Sequence, residues 1–297
     1  MNGRHEQAAV CRRRFLKGTI CGVAAVPFAL SEASADIKSP SVTLRIAHLC
    51  DPQFGFITGN PALKHRAKEY YAKNYKPDLA RCEMALAALD EIKPDLLLFG
   101  GDMTQWAEDL EVEWPRLLNG VKTPWMVTPG NHDMGNNVTR GNLERFRKVF
   151  GCDRDARDVK GWRIIAGNSQ FWHPTQLKNE QAEYKVWVDE ELEKAKDYGG
   201  KVVLATHIPP FEFSVEEKGF YGNHPSAGRK ELLEKYVASG ARIMLTAHHH
   251  RLAVRGYKSL TIFGTEATCD NFDLRPQGFR IFEIAADFSC AWRFYCV

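Results

Sequence analysis

Five short polar segments, spread from residue 51 to residue 250, each follow directly on an apolar, β-rich run. They are Asp51-Pro52-Gln53, Gly101-Asp102, Gly130-Asn131-His132-Asp133, His207 and His248-His249-His250. Their side chains are carboxylates, amides and imidazoles. Groups so distant in sequence meet only if the runs before them lie side by side and end at one edge. The strands of a parallel sheet do this. Asp95 to Phe99 and Val202 to Ala205 are almost continuously apolar, the pattern of strands buried on both faces. An α/β fold with one ligand-bearing edge is therefore expected.

The rest of the chain repeats that grammar. Thr43 to Leu49, Trp125 to Thr128, Arg163 to Ala166 and Arg242 to Leu245 also read as strands. Helical spacing places Leu79, Cys82, Leu86, Leu89 and Ile92 on one face, with Pro94 as the stop. A second helix gathers Leu143, Phe146, Val149 and Phe150. A third carries Tyr184, Trp187, Val188, Leu192 and Ala195 and closes at Gly199-Gly200. Ser226 is placed to cap a fourth, with Leu232, Leu233, Tyr236 and Val237, ending at Gly240. From Leu252 the pattern is strand-rich, over Leu260 to Phe263, Phe279 to Ile284 and Ala291 to Tyr295. Asn60 to Pro77 is polar, rich in Lys and Tyr, and reads as a long loop or lid. No repeat or linker divides residues 36–297, which read as one domain.

Residues 1–35 read as a leader. Arg12-Arg13-Arg14-Phe15-Leu16-Lys17 resembles the twin-arginine export signal, an apolar stretch runs from Thr19 to Leu30, and Ala33-Ser34-Ala35 offers a cleavage site. The apolar stretch is shorter than the roughly 20 residues that span a bilayer. The expected partner is the twin-arginine machinery, and the expected location periplasmic or otherwise extracytoplasmic, with no membrane span in the mature chain. Without Arg4, Arg12, Arg13, Arg14, Lys17, Glu6 and Glu32, Lys+Arg falls from 40 to 35 and Asp+Glu from 37 to 35. The mature chain is then near neutral, with no basic run to track a phosphate backbone, so nucleic acid is not expected as a stable partner. Cys50, Cys82, Cys152, Cys269, Cys290 and Cys296 remain, without CxxC spacing, and read as separate thiols.

The donor types suit Zn, Fe, Mn, Co or Ni. Asp102, with two carboxylate oxygens, is placed to bridge two ions. Asp51, His250 and the amide oxygen of Gln53 would complete one ion; Asn131, His207 and His248 the other. His248 and His250 share a side if their segment is extended, with His249 turned away. Two divalent or trivalent ions about 4 Å apart can activate a water that attacks a phosphate ester. His132 is the candidate general acid, with Asp102 and Asp133 in the same catalytic group. Asn131, His132 and Arg275 are candidate phosphate contacts. Phe54, Phe56, Phe171, Trp172, Phe211, Phe213 and Tyr221 fall beside the segments, about half as a rim and half as local packing. His65, His173 and His224 read as surface histidines.

Taken in order, these segments resemble the calcineurin-like metallophosphoesterase superfamily, whose blocks read D-x-H, G-D, G-N-H-D/E, H and G-H-x-H. Gln53 stands for the usual His and Ala247 for the usual Gly. Asp51-Pro52-Gln53-Phe54-Gly55, Asn168-Ser169-Gln170-Phe171, His207-Ile208-Pro209 and His248-His249-His250-Arg251 resemble one animal branch, the calcineurin-like phosphoesterase domain-containing proteins, which also carries Gln in the first block. The resemblance implies a four-layer α/β/β/α sandwich of two mixed sheets flanked by helices. It implies a dinuclear phosphoesterase holding Fe, Mn or Zn and acting on phosphomonoesters of small molecules or proteins, which the leader of residues 1–35 would make a secreted one. The alternatives are a phosphodiesterase for nucleotides or lipid head groups, and a catalytically silent metal-binding protein of the same fold.

Overall fold

A computed structural model describes residues 41–56 and 76–297. The leader, most of Asn60 to Pro77, and His65 lie outside the described residues.

The apolar runs form two mixed sheets. The first contains β1 (Val42–Leu49), β2 (Leu96–Phe99), β3 (Trp125–Val127), β10 (Gly278–Ala285) and β11 (Cys290–Cys296), in the order β11-β10-β1-β2-β3. The second contains β4 (Asp155–Val159), β5 (Trp162–Ala166), β6 (Val202–Ala205), β7 (Ile243–Thr246), β8 (Ala253–Tyr257) and β9 (Leu260–Gly264), in the order β4-β5-β6-β7-β9-β8. Strands β1, β2 and β3 are mutually parallel, as are β5, β6, β7 and β9; antiparallel strands complete both sheets.

Each central strand is buried on both faces, and the period of two decides what each residue meets. Leu44, Ile46, Leu96, Leu98 and Met126 face Ile164, Val203, Ala205, Ile243 and Leu245 between the sheets. Ala47, Leu49, Leu97 and Phe99 point outward, under α1 (Lys76–Ile92), α2 (Leu110–Gly120) and α3 (Arg140–Phe150). On the other side, Ile165, Val202 and Leu204 pack under α4 (Lys178–Ala195) and α5 (Arg229–Ala238). The result is the expected four-layer sandwich.

Helix α1 takes in Lys76 and Pro77, read from sequence as loop. Proline is tolerated in a first turn because its missing N–H has no intrahelical partner there. Ser226 does not cap α5: Gly228 does, in the left-handed region at φ 79°, with no side-chain cap. Among the described residues no helix is long and apolar enough to cross a membrane. The six cysteines read as separate thiols are all free.

Candidate metal centre

The carboxyl ends of five parallel strands deliver the five segments to one edge. Strands β1, β2 and β3 bring Asp51, Asp102 and Asn131; β6 and β7 bring His207 and His248. The first sheet thus supplies oxygen donors and the second supplies imidazoles. Backbone bonds sew the loops together. Asp51 N donates to Gly101 O at 3.1 Å, Gln53 N to Asp102 O at 2.9 Å, and Ala247 N to His207 O at 2.9 Å.

Asp51, Gln53, Asp102, His248 and His250 all adopt positive φ, between 37° and 70°. The left-handed region costs a non-glycine residue roughly 1–2 kcal/mol, and such strain collects at functional sites. Here each left-handed step turns the chain as it leaves its strand, and the side chain stays inside. This corrects the expectation that His248 to His250 is extended. The segment is tightly bent, yet His248 and His250 still face the centre and His249 still faces away, donating from Nε2 to Gly222 O at 2.8 Å. Ala247 takes no positive φ, so a Cβ is accommodated where the family usually has Gly.

The ring tautomers are set by backbone carbonyls. His207 donates from Nδ1 to Gly100 O at 2.7 Å, His248 from Nε2 to Tyr221 O at 3.2 Å, and His250 from Nδ1 to Asp270 O at 2.7 Å. Asn131 donates from Nδ2 to Asn136 Oδ1 at 2.7 Å and to Tyr221 Oη at 2.5 Å, which turns its carbonyl inward. What remains is a knot of bare lone pairs. His207 Nε2 lies 3.2 Å from Asn131 Oδ1, 3.2 Å from His248 Nδ1, 3.3 Å from Asp102 Oδ2 and 4.0 Å from Asp51 Oδ1. His250 Nε2 lies 3.5 Å from Asp51 Oδ1, which is buried with no hydrogen-bond partner. Acceptors crowd in this way when a cation sits among them, with second-shell bonds fixing each ring. Asp102, His207 and His248 have the spacing to hold one ion. The donor set fits a divalent transition metal.

Charge reinforces the argument. Burial opposes protonation of His207, but Asp102 and then Asp51 outweigh it and raise its pKa to about 9. Burial also opposes ionisation of Asp102, yet His207 and His132 hold its carboxyl below the usual range. His248 is pushed well below its ordinary value by burial and then by His207. A proton or a cation must therefore stand between the carboxylates and His207.

Several expected residues have other surroundings. Asp133, placed from sequence in the catalytic group, is fully buried and accepts from Met103 N and Gly130 N, both at 2.8 Å. It clamps two ligand loops and does not face the centre. Arg275 is not brought to the site; it pairs with Asp273 at 3.1 Å and lies 3.8 Å from Glu266. Gln53 donates from Nε2 to Gln105 Oε1 at 3.1 Å, and its carbonyl lies toward Cys269. His132 Nδ1 donates to Gln105 O at 3.0 Å, while Nε2 faces Tyr221 Oη at 3.5 Å. Cys50 contacts His48 Nε2 at 3.3 Å. His224, read as a surface histidine, is buried and bonds to Ile208 O.

The aromatics divide. Phe54 stacks on Trp114 in the core, and Phe171 and Phe211 are buried. Phe56 lies 4.9 Å from the His250 ring and Tyr221 lies 5.0 Å from His248. Phe272, missed from sequence, stacks on His250 at 4.7 Å. Nothing in its neighbourhood marks it. Gln105 was also missed; its position three residues after Asp102, in the same loop, was the available signal.

Gly130 shows why the segments need glycine. A Cβ there would stand 2.0 Å from Asp102 Oδ1. A Gly130→Ala variant must displace that carboxylate. It is expected to lose about 10- to 100-fold in metal affinity, as second-shell changes typically do, measured by metal titration. Unchanged affinity would show that the loop yields instead.

The calcineurin-like phosphoesterase profile matches residues 44–252. The chain belongs to the calcineurin-like phosphoesterase family. It is a metal-dependent phosphoesterase. This phosphoesterase is 26% identical over 250 residues to the human serine/threonine-protein phosphatase CPPED1, covering 80% of this chain and 79% of the relative. The mouse protein of that name is 29% identical over 276 residues, covering 86% and 84%. A dimetal phosphatase from Danio rerio has the same fold, with a TM-score of 0.56, 10% identity, and coverage of 86% of this chain and 97% of that one.

Proposed function

We propose that this phosphoesterase is an exported phosphomonoesterase that works with two metal ions, Fe, Mn or Zn. One observation carries the reading: His132 stands beside Asn131 in the donor segment, oriented by Gln105 O at Nδ1, with Nε2 facing Tyr221 Oη. The donor set falls into two lobes, Asp102, Asn131, His207 and His248 in one, Asp51 and His250 in the other, with Asp102 and Asp51 both next to His207. Ions bound there supply charge that polarises a phosphoryl group and acidifies water. The chain does the rest. Asn131 and His132 orient the phosphoryl oxygens. His132 Nε2 holds the proton for the departing alcohol oxygen. The loops exclude bulk water from the buried carboxylates. The phosphatase names of the CPPED1 relatives support the monoester, in a small molecule or a protein.

His132→Ala is expected to lower kcat on p-nitrophenyl phosphate by about 10²- to 10⁴-fold while elemental analysis still finds near two metals per chain. Full turnover in this variant would sink the role. Bis-p-nitrophenyl phosphate tests the second reading, a phosphodiesterase. That reading is favoured by 25% identity over 175 residues to a probable glycerophosphodiester phosphodiesterase from Arcobacter nitrofigilis.

Export by the twin-arginine route rests on residues 1–35, with residues 36–297 as the mature phosphoesterase. Replacing Arg12 and Arg13 together by lysine is expected to leave the full-length chain in the cytoplasm on fractionation. Continued appearance outside the membrane would reject this route.

A further inference from the structure

We infer that a cavity beside the metal centre is the leaving-group subsite, and that it takes a small, uncharged, polyhydroxylated alcohol such as a sugar or polyol. The inference rests on the phosphomonoesterase reading and specifies its substrate.

The cavity encloses about 270 Å³ and is lined by Asn131, Asn136, Gln170, His173, Ile208 and Tyr221, among others. It adjoins the donor set at Asn131, one of its lining residues, whose amide is shared between Asn136 and Tyr221. Tyr221 Oη is also 3.5 Å from His132 Nε2, the atom that serves the departing oxygen. The alcohol half of a substrate therefore leaves the phosphorus toward this cavity.

Its chemistry is specific. No Lys, Arg, Asp or Glu lines it, so a second charged group would lose its water for no partner. The lining is rich in amides, with an imidazole and a phenol, over a floor of Val138, Pro174 and Ile208. Gln170 is only 6% exposed, and its Nε2 has no hydrogen-bond partner among the described residues; His173 Nε2 is likewise unpartnered. Burial lowers the His173 pKa, so that ring stays neutral. Both sit on the turn after β5. Asn168 Oδ1 fixes the turn by accepting from Gln170 N at 3.1 Å, and Gln181 donates to His173 O at 2.9 Å. A buried amide without a partner costs free energy unless a ligand satisfies it. Hydroxyl groups both donate and accept, and the C–H faces of a sugar suit the apolar floor. The volume lies near the small end of ligand sites, which begin at roughly 300 Å³. It admits one ring or a short polyol and not a run of peptide.

The test compares kcat/KM of the metal-loaded enzyme on glucose 6-phosphate, glycerol 3-phosphate, a phosphoserine peptide and p-nitrophenyl phosphate, for wild type and Gln170→Leu. Wild type is expected to prefer the sugar or polyol ester over the peptide. Gln170→Leu should cut the ratio of sugar ester to p-nitrophenyl phosphate by about tenfold or more, since sites built to bond a hydroxyl discriminate steeply. A preference for the peptide, or a ratio that does not move, overturns the inference. A separate arm uses saturation-transfer NMR with glucose and glycerol on the zinc-loaded protein. Signal in wild type that is lost in Gln170→Leu supports the subsite, and no signal for either alcohol overturns it. If no ester is turned over, the phosphatase reading fails, and the NMR arm alone decides the subsite.

Discussion

An Asp102→Asn variant is expected to lose at least ~10³-fold in kcat/KM on p-nitrophenyl phosphate, and to hold fewer than two metals by elemental analysis. Metal charge stabilises a phosphoryl transition state by several kcal/mol, and each 1.36 kcal/mol is about tenfold. The variant is chosen so that only charge changes. Asn keeps the shape, can still accept from His132 N through Oδ1, a bond of 2.8 Å, and tolerates the left-handed φ of 51°. It removes the negative charge that opposes burial at His207 and holds this ring's pKa near 9. Activity within tenfold of wild type, in a variant with unchanged thermal unfolding, would show that Asp102 is not the shared ligand.

The second large effect is acid instability. Burial pushes the pKa of His48 down to about 3, with the His207 charge adding to it. Burial, then His173, does the same to His224. Unfolded, both rings titrate near 6.5. Between about pH 6.5 and 3 the unfolded chain binds protons that the native rings refuse, so stability rises with pH there and falls as acid is added. At 1.36 kcal/mol per unit the two rings together withdraw about 4 kcal/mol by pH 5, and about twice that near pH 3. A typical domain has only about 5–15 kcal/mol in all. Asp78 and Asp133 act oppositely: burial raises the pKa of Asp78 to about 6, despite bonds from Gly55 and Arg81, and burial, then Asp102, raises that of Asp133 to about 8, so both native carboxyls take up protons before the unfolded ones and offset part of the loss at the acid end. Urea unfolding at pH 7.0, 5.5 and 4.5 measures the balance. His224→Gln, which retains a donor for Ile208 O, should flatten the slope by about one proton. A slope identical to wild type would place the acid sensitivity elsewhere.

The α/β layering was legible because its central strands are buried twice over, while the sandwich of two sheets was what the resemblance implied. Leu96 to Phe99 and Val202 to Ala205 carry apolar residues on both faces, and only a parallel sheet covered by helices asks for that. The ligand segments were legible because each follows such a run. What escaped was decided by distant contacts. Asp155 to Val159 carries a charge at three of five positions, with no apolar run to mark a strand, yet it pairs along β5 as an edge strand. Leu110 to Gly120 contains Pro115, which argues against a helix, but Trp114 and Leu117 bury its face in the core. His224 has no periodic neighbour to mark it as internal, since its burial comes from a loop folding back on Ile208. Asp133 and His132 are adjacent and equally polar, yet the fold commits both Asp133 oxygens to backbone amides and turns His132 Nε2 toward Tyr221. The bend at His248 to His250 follows from left-handed φ values, which no strand pattern announces.

The division of donors between the sheets has a consequence for assembly. Of the candidate metal donors, those from β1, β2 and β3 are carboxylates and amides, and those from β6 and β7 are imidazoles. Either sheet alone is a poor chelator, one hard and anionic, the other neutral and soft. The mixed set comes into being only when the two sheets have docked across their common core. An ion seated there would be a rivet through both leaves of the molecule, holding together what the shared core alone otherwise joins.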